Sequence, residues 1–201
     1  LYGTHQQGLY KLDKKTLSSK LIKYKENEST INLQINAIVK SKNGRFLIGT
    51  NQGLMTFDPY NEVLRLAKFN TKTGYDTIKK SIESMMVAAD NSIWIGTFSS
   101  GLIRIDDKLG GVYAIENFKI TKKRIMSLAQ KADSNILCGS ENDGLFEINY
   151  KTKNIKNYQQ DKLNQKGIKS NSIWTVYTDD KNRIWLGYYN NGIDLHDYNY
   201  N

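Results

Sequence analysis

The feature of this sequence that most restricts its fold is an internal repeat with a period of about 45 residues. Each copy contains a leading glycine, a connection of three or four residues, a second glycine and an aliphatic residue. The leading glycines are separated by 46, 47, 43 and 48 residues. They are Gly3, Gly49, Gly96, Gly139 and Gly187, and the second glycines are Gly8, Gly53, Gly101, Gly144 and Gly192.

Four short strands, named A to D in chain order, are predicted around each pair of glycines. Strand B is a short apolar run before the leading glycine, as at 93–95, and it is bounded by turn residues. Strand A precedes it, as at 82–87, and strand C alternates after the second glycine, as at 102–106. A more variable stretch such as 154–158 supplies strand D. Each copy is therefore predicted to be a four-stranded antiparallel meander.

Four short strands per repeat are typical of a β-propeller blade, so we predict an all-β fold. The chain is predicted to be a single propeller segment, with copies at about 1–27, 28–74, 75–121, 122–164 and 165–201. The first copy lacks strand A and the last lacks a clear strand D, which leaves about four to five blades. Propellers typically have about 4 to 8 blades. We therefore expect a partial ring, cut from a longer protein because the chain starts at Leu1 without a methionine.

Composition excludes several classes of protein. The net charge is +9, but lysines are scattered, whereas a nucleic-acid-binding protein is expected to concentrate its basic residues in one patch. We predict no nucleic-acid partner. The single cysteine, Cys138, excludes an internal disulfide and a CxxC metal site. No apolar run approaches the roughly 18 residues of a membrane span, so contact with a membrane is expected only through a parent protein.

Two copies carry the motifs of a known repeat. One has Asn171-Ser172-Ile173, then the run 179–187 and then Gly192-Ile193-Asp194-Leu195; another has Ile93-Trp94-Ile95-Gly96-Thr97 followed by Gly101-Leu102. This pattern resembles the two-component regulator propeller repeat, and the resemblance covers essentially the whole chain. It implies the periplasmic sensor region of a membrane-bound hybrid histidine kinase, a region that typically detects oligosaccharides and relays the signal to the kinase.

Catalytic groups are scarce. The two histidines, His5 and His196, occupy non-equivalent positions of the first and last copies. Cys138 aligns with Ile48, Ile95 and Leu186, which predicts a small buried apolar residue. We therefore predict a non-catalytic segment with no metal and no cofactor. Three tryptophans, Trp94, Trp174 and Trp185, fall at strand positions and are predicted to lie in the core.

Ligand-binding residues are predicted between the two glycines of each copy, because these residues vary while the glycines do not. In a propeller meander the B–C and D–A connections emerge on one face, around the central channel. Amides, hydroxyls and flat aromatic rings suit a sugar. The candidates are His5, Gln6, Asn51, Gln52, Phe98, Ser99, Glu141, Asn142, Tyr188, Tyr189 and Asn190.

Three functions remain open from the sequence. The first is an oligosaccharide sensor in the periplasm, with neighbouring propeller or signalling domains of the same parent chain as partners and a homodimer as one arrangement. The second is a protein-interaction scaffold, which would show a large apolar or charged patch and no concave pocket. The third is a propeller lyase or hydrolase, which would need a clustered His, Glu or metal site.

Overall fold

The computed structural model describes residues 1–24, 33–71, 74–106, 115–131, 134–161, 163 and 167–197, and these residues form β-strands and no helix. Three sheets have four strands each: β4 (Ile35–Lys40) to β7 (Val63–Leu66), β10 (Ile82–Val87) to β13 (Ile115–Phe118), and β14 (Ile125–Lys131) to β17 (Ile155–Tyr158). Their inner members are β5 (Phe46–Thr50), β6 (Gly53–Asp58), β11 (Ser92–Thr97), β12 (Leu102–Asp106), β15 (Asn135–Ser140) and β16 (Leu145–Asn149).

The first and last sheets have three strands. The first contains β1 (Tyr2–Gly3), β2 (Leu9–Leu12) and β3 (Ser19–Leu21), and the fifth contains β18 (Ile173–Thr178), β19 (Ile184–Tyr188) and β20 (Ile193–His196). Strands follow one another in chain order within every sheet, so each sheet is a meander. The predicted all-β class and the four-stranded antiparallel units are confirmed, and the fifth sheet contains strands A to C as the sequence suggests.

One hairpin is outside the predicted pattern. Strands β8 (Phe69–Thr71) and β9 (Gly74–Asp76) form a separate two-stranded sheet after strand D of the second copy. The copy boundary predicted between residues 74 and 75 falls inside β9. The boundary residues 27, 28, 164 and 201 lie outside the described residues.

The chain forms two compact units. One comprises Leu1–Ile95 with Arg104–Glu116, and the other comprises Gly96–Ile103 with Asn117–Asn201. In the first unit, a core of Leu9, Ile48, Met55, Phe57 and Leu64, with their neighbours, joins the first and second sheets. In the second unit, an apolar cluster joins the fourth and fifth sheets. Its members are Ala129, Leu137, Leu145, Ile168, Ile173, Val176, Ile184, Leu186 and Tyr188.

The two glycines of each copy meet different demands. A Cβ added at Gly139 would lie 2.8 Å from Cγ2 of Ile173 and 2.9 Å from Cγ2 of Val176, so strand A of the fifth copy packs directly on the backbone of β15. Gly144 has a φ of +81° and its added Cβ would lie 2.1 Å from the Tyr158 carbonyl oxygen. In the fourth copy, close packing therefore excludes a side chain at the first glycine, and both conformation and space exclude one at the second. In the fifth copy nothing lies within 4 Å of a Cβ added at Gly192, so only its φ of +70° disfavours a side chain there.

The three tryptophans do not share one environment. Trp94 is fully buried, as predicted. Trp185 is partly buried, and its indole Nε1 donates a hydrogen bond of 3.0 Å to Asp179 in the A–B turn. The prediction that Trp174 lies in the core is wrong, because 41% of its surface is exposed. Trp174 sits where the register of β18 shifts between Ile173 and Thr175, and such a bulge re-aims a side chain.

Candidate functional site

A hydroxyl group closes the B–C connection in the first four copies. Thr50 Oγ1 donates to the Gly53 carbonyl over 2.7 Å and accepts a hydrogen bond from the Gln52 amide over 3.1 Å. The same donation joins Thr4 to Gly8, Thr97 to Gly101 and Ser140 to Gly144, at 2.9, 2.7 and 2.8 Å. The connection therefore has a fixed backbone, on which the intervening side chains differ.

This hydroxyl could have been identified from the sequence, because it belongs to the residue directly after the leading glycine. It is Thr or Ser in four copies and Tyr188 in the fifth. Sequence reasoning assigned the fixed geometry to the glycines alone and missed this group.

In three copies a backbone hydrogen bond ties the B–C connection to the residue that leads into strand A of the same copy. The amide of Asn51 donates to the Gln34 carbonyl over 3.2 Å, and that of Glu141 donates to Arg124 over 2.9 Å. In the fifth copy the Tyr189 amide donates to the Ser172 carbonyl over 3.2 Å. The B–C and D–A connections thus lie side by side at one end of each of these three sheets.

Most of the predicted site residues occupy these connections with exposed side chains. Glu141 is partly buried, and Tyr188 is buried within β19 rather than exposed in the connection. The exposed members are His5, Gln6, Asn51, Gln52, Phe98, Ser99, Asn142, Tyr189 and Asn190.

Phe98 and Arg124 form one local platform. The Arg124 guanidinium lies 5.0 Å from the centre of the exposed Phe98 ring, a cation–π distance. The backbone of Arg124 in turn holds Glu141. Two of the predicted residues, from consecutive copies, are thereby brought near one arginine that the sequence analysis did not select.

Trp174 and Tyr189 form a second, larger platform. Their ring centres are 4.7 Å apart with a tilt of 30° between the planes, and 41% of Trp174 and 60% of Tyr189 are exposed. Asn190 and Asn191 follow in the connection with exposed side chains. Aromatic faces of this kind can cover the C–H face of a flat ligand while the amides donate and accept hydrogen bonds.

Tyr188 stabilises the B–C connection of the fifth copy through hydrogen bonds made by its buried side chain. Its hydroxyl donates to Asp194 Oδ2 over 2.8 Å and accepts from the Lys169 amide over 3.1 Å, and the Lys169 ammonium pairs with Asp194. Burial raises the pKa of Tyr188. Burial alone would also raise the pKa of Asp194, but the hydrogen bonds from Lys169 and Tyr188 lower it overall. The fifth copy thus replaces the small hydroxyl of Thr or Ser by a phenol inside a charged network.

Groups suited to catalysis or metal binding are dispersed in the described part of the chain. There, no three His, Cys, Asp or Glu side chains come together as a metal site. Cys138 is fully buried, and burial raises its pKa, which favours the neutral thiol. This placement agrees with its predicted apolar role. The described residues also contain no helix that could cross a membrane.

Residues 167–190 match the sequence profile of the family described as two component regulator propeller. This match confirms the resemblance that the sequence motifs suggest. No curated protein is significantly similar to the chain.

Solved structures show the same fold. The extracellular domain of a putative hybrid two component system of B. thetaiotaomicron superposes with a TM-score of 0.78 at 22% identity, over 98% of this chain and 25% of that one. A structure described as the extracellular domain of a putative one component system of the same organism gives 0.78 at 23% identity, over 96% and 25%. PorZ of Porphyromonas gingivalis, a surface component of the type-IX secretion system, gives 0.69 at 13% identity, over 96% and 29%. The chain therefore spans about a quarter of these proteins and has a propeller-type fold.

Proposed function

We propose that this chain is part of the periplasmic sensing region of a hybrid two-component signalling protein, where it binds an oligosaccharide and relays binding to a histidine kinase. Two findings support the signalling context: the family match at 167–190 and the fold shared with extracellular domains of such systems. The segment itself acts by binding and carries out no reaction.

The observation that carries the ligand class is the exposed pair of Trp174 and Tyr189 next to Asn190 and Asn191. Sugar rings have apolar C–H faces that pack on aromatic side chains and hydroxyl groups that need orienting donors and acceptors. Since the Tyr189 backbone is hydrogen-bonded to Ser172, the Tyr189 ring on the B–C connection is held beside the Trp174 ring near the start of β18. A preformed surface of this kind reduces the entropy lost on binding.

Binding would be relayed through a shift between two arrangements of the sensing region. A ligand shifts such an equilibrium only by its difference in affinity for the two states. A sugar bound to Trp174 and Tyr189 would therefore have to bind more tightly in one arrangement of the sensing region than in the other.

The test is a screen of an oligosaccharide library by thermal shift, followed by calorimetry on this chain. We expect one class of glycan to raise the melting temperature. Trp174→Ala and Tyr189→Ala should each reduce the affinity at least tenfold, since aromatic contacts dominate small binding sites. Tyr60→Ala is the matched control, because Tyr60 is 95% exposed in the turn after β6, far in sequence from Trp174 and Tyr189. Binding that survives both substitutions, or no glycan binding at all, contradicts the proposed site.

One observation favours the scaffold alternative. Tyr177, Trp185 and Leu195 stand directly opposite one another across the fifth sheet, with Ile193 on the same face, and all but Trp185 are exposed. Such an apolar face could bind a second copy of the chain. The scaffold function would replace the sensor function if no glycan binds while sedimentation shows a dimer that Leu195→Lys abolishes.

A further inference from the structure

The fifth copy places polar side chains at two positions that are apolar in the three four-stranded sheets. Four residues after the second glycine, the second, third and fourth copies have Phe57, Ile105 and Ile148, all buried, whereas the fifth has His196. Two residues earlier, the same copies have the buried apolar residues Met55, Ile103 and Phe146, whereas the fifth has Asp194.

Both polar residues belong to the face of the fifth sheet that packs on the fourth. In the strand register, His196 lies opposite Ile184 and Asp194 lies opposite Leu186. Ile184 and Leu186 belong to the apolar cluster shared with Leu145 of the fourth sheet. The substitutions therefore fall inside the packing between two sheets of one compact unit.

A cavity of about 410 Å³ occupies this region. Its walls include the aliphatic side chains of Leu145, Ile168, Ile184 and Leu186, and His196 also lines it. Exposed amides of Asn157 and Gln159 lie at its border. Small-molecule sites typically have volumes of about 300–1,000 Å³, mainly apolar walls and a few polar groups that fix orientation.

The His196 ring supplies the orienting group. Its Nε2 atom is buried and has no hydrogen-bond partner among the described residues. An unpaired buried nitrogen is unfavourable, so a ligand that pairs with it gains more than it would at an exposed group. In a neutral imidazole this nitrogen can donate or accept, according to the tautomer. Asp194 cannot serve in the same way, because Tyr188 and Lys169 already occupy its oxygens.

We propose that the cavity between the fourth and fifth sheets binds a small uncharged molecule with one apolar ring and a hydroxyl group hydrogen-bonded to His196 Nε2. Leu145, Ile168, Ile184 and Leu186 form an aliphatic wall that fits an apolar ring, whereas a sugar would have to place hydroxyl groups against these side chains. Among the described residues no lysine or arginine lines the cavity, whereas the Asp161 carboxylate does, which disfavours an anion. This site is separate from the Trp174–Tyr189 surface and takes a different class of ligand.

The test uses phenol as the probe and benzene as the analogue without a hydroxyl, with binding followed by NMR of the histidine ring nitrogens. We expect phenol to shift the His196 ring resonances and to bind roughly three- to tenfold more tightly than benzene, the range of one hydrogen bond. His196→Ile, which introduces the residue of the third and fourth copies, should bind both probes equally. His5→Asn, which removes the other imidazole, should keep the preference.

A second variant tests the cavity without changing the histidine. Leu145→Phe should fill the space and abolish binding of both probes while the chain remains folded. Phenol binding that leaves the His196 resonances unchanged, a preference that persists in His196→Ile, or undiminished binding to Leu145→Phe would overturn the proposal. Trp174→Ala should leave phenol binding intact, so the outcome is independent of the glycan test.

Discussion

The fourth and fifth sheets are copies of one repeat with nearly the same backbone and very different side chains. Both have the glycine pair, at 139 and 144 and at 187 and 192, and both tie the B–C connection to the residue before strand A. The fourth sheet has Ser140, Phe146 and Ile148 where the fifth has Tyr188, Asp194 and His196.

The difference teaches which part of the repeat determines the fold. Apolar strand B and the glycines are common to both sheets, and both sheets form the meander. Two positions in strand C change from apolar to polar, and the position after the leading glycine changes from Ser140 to Tyr188, while strands B and C stay paired. Features specific to the fifth copy are therefore the natural place for a function that the other copies do not share.

The largest expected effect is a difference in stability between alanine substitutions of the second glycines of the two sheets, Gly144 and Gly192. Gly144→Ala should destabilise the chain by roughly 3 kcal/mol or more, because it adds a steric clash with the Tyr158 carbonyl to the cost of a left-handed backbone. Gly192→Ala should cost only about 1–2 kcal/mol, since nothing lies within 4 Å of its added Cβ and only the backbone term applies. Urea unfolding of both variants measures the difference. Equal losses would mean that the carbonyl moves aside at no cost.

The next effect concerns acid stability. The pKa of Asp194 is lowered in the folded chain, so its contribution is complete above the unfolded-state pKa of about 3.9 and is lost as the pH falls through the lower folded-state value. Asp194→Asn should cost about 2 kcal/mol at pH 7, where a charged hydrogen-bonded group is removed, and less at pH 3. Measuring the free energy of unfolding of the parent and of Asp194→Asn between pH 7 and pH 3 tests whether the difference between them decreases in acid.

Glu147→Gln gives the matching measurement in the fourth sheet. Burial raises the pKa of Glu147, but hydrogen bonds from Tyr158 and Lys131 lower it overall. Glu147→Gln is therefore also expected to reduce the free energy of unfolding more at pH 7 than at pH 3. If the difference in free energy of unfolding between the parent and either variant increased in acid, the assigned pKa shift would be contradicted.

The smallest effect concerns the hydroxyl that closes the B–C connection. Ser140→Ala should destabilise the chain by about 1 kcal/mol, because Ser140 Oγ donates to Gly144 and accepts from the Asp143 amide. Ser140→Thr keeps the hydroxyl of the second and third copies and should stay within a few tenths of a kcal/mol of the parent. Thermal unfolding compares the two, and an equal loss in both would show that side-chain volume rather than the hydroxyl matters.

Much of the fold could be predicted from the sequence, because glycine spacing and short apolar runs are local signals. The strand predicted at 82–87 is β10 with the same bounds. The β8–β9 hairpin was missed because it occurs in one copy and carries no repeat signal.

The candidate site was less predictable. Trp174 was assigned to the core because it falls at a strand position, and the bulge at that point of β18 was not foreseen. Tyr188 was assigned to the connection because it lies between Gly187 and Gly192, whereas β19 continues through it and its hydroxyl bonds to Asp194 and Lys169. The cavity at His196 depends on two sheets and has no local signature.

The tie between Tyr189 and Ser172 has a mechanical consequence for the second unit. Ser172 immediately precedes Ile173, whose side chain and carbonyl leave no room for even a methyl group at Gly139. Because the contact between Ile173 and Gly139 has no free volume, a displacement of one is transmitted to the other rather than absorbed. A force applied at the B–C connection of the fifth sheet would therefore be transmitted to the backbone of β15. Gly139 would be the point of contact through which the fifth sheet displaces the fourth.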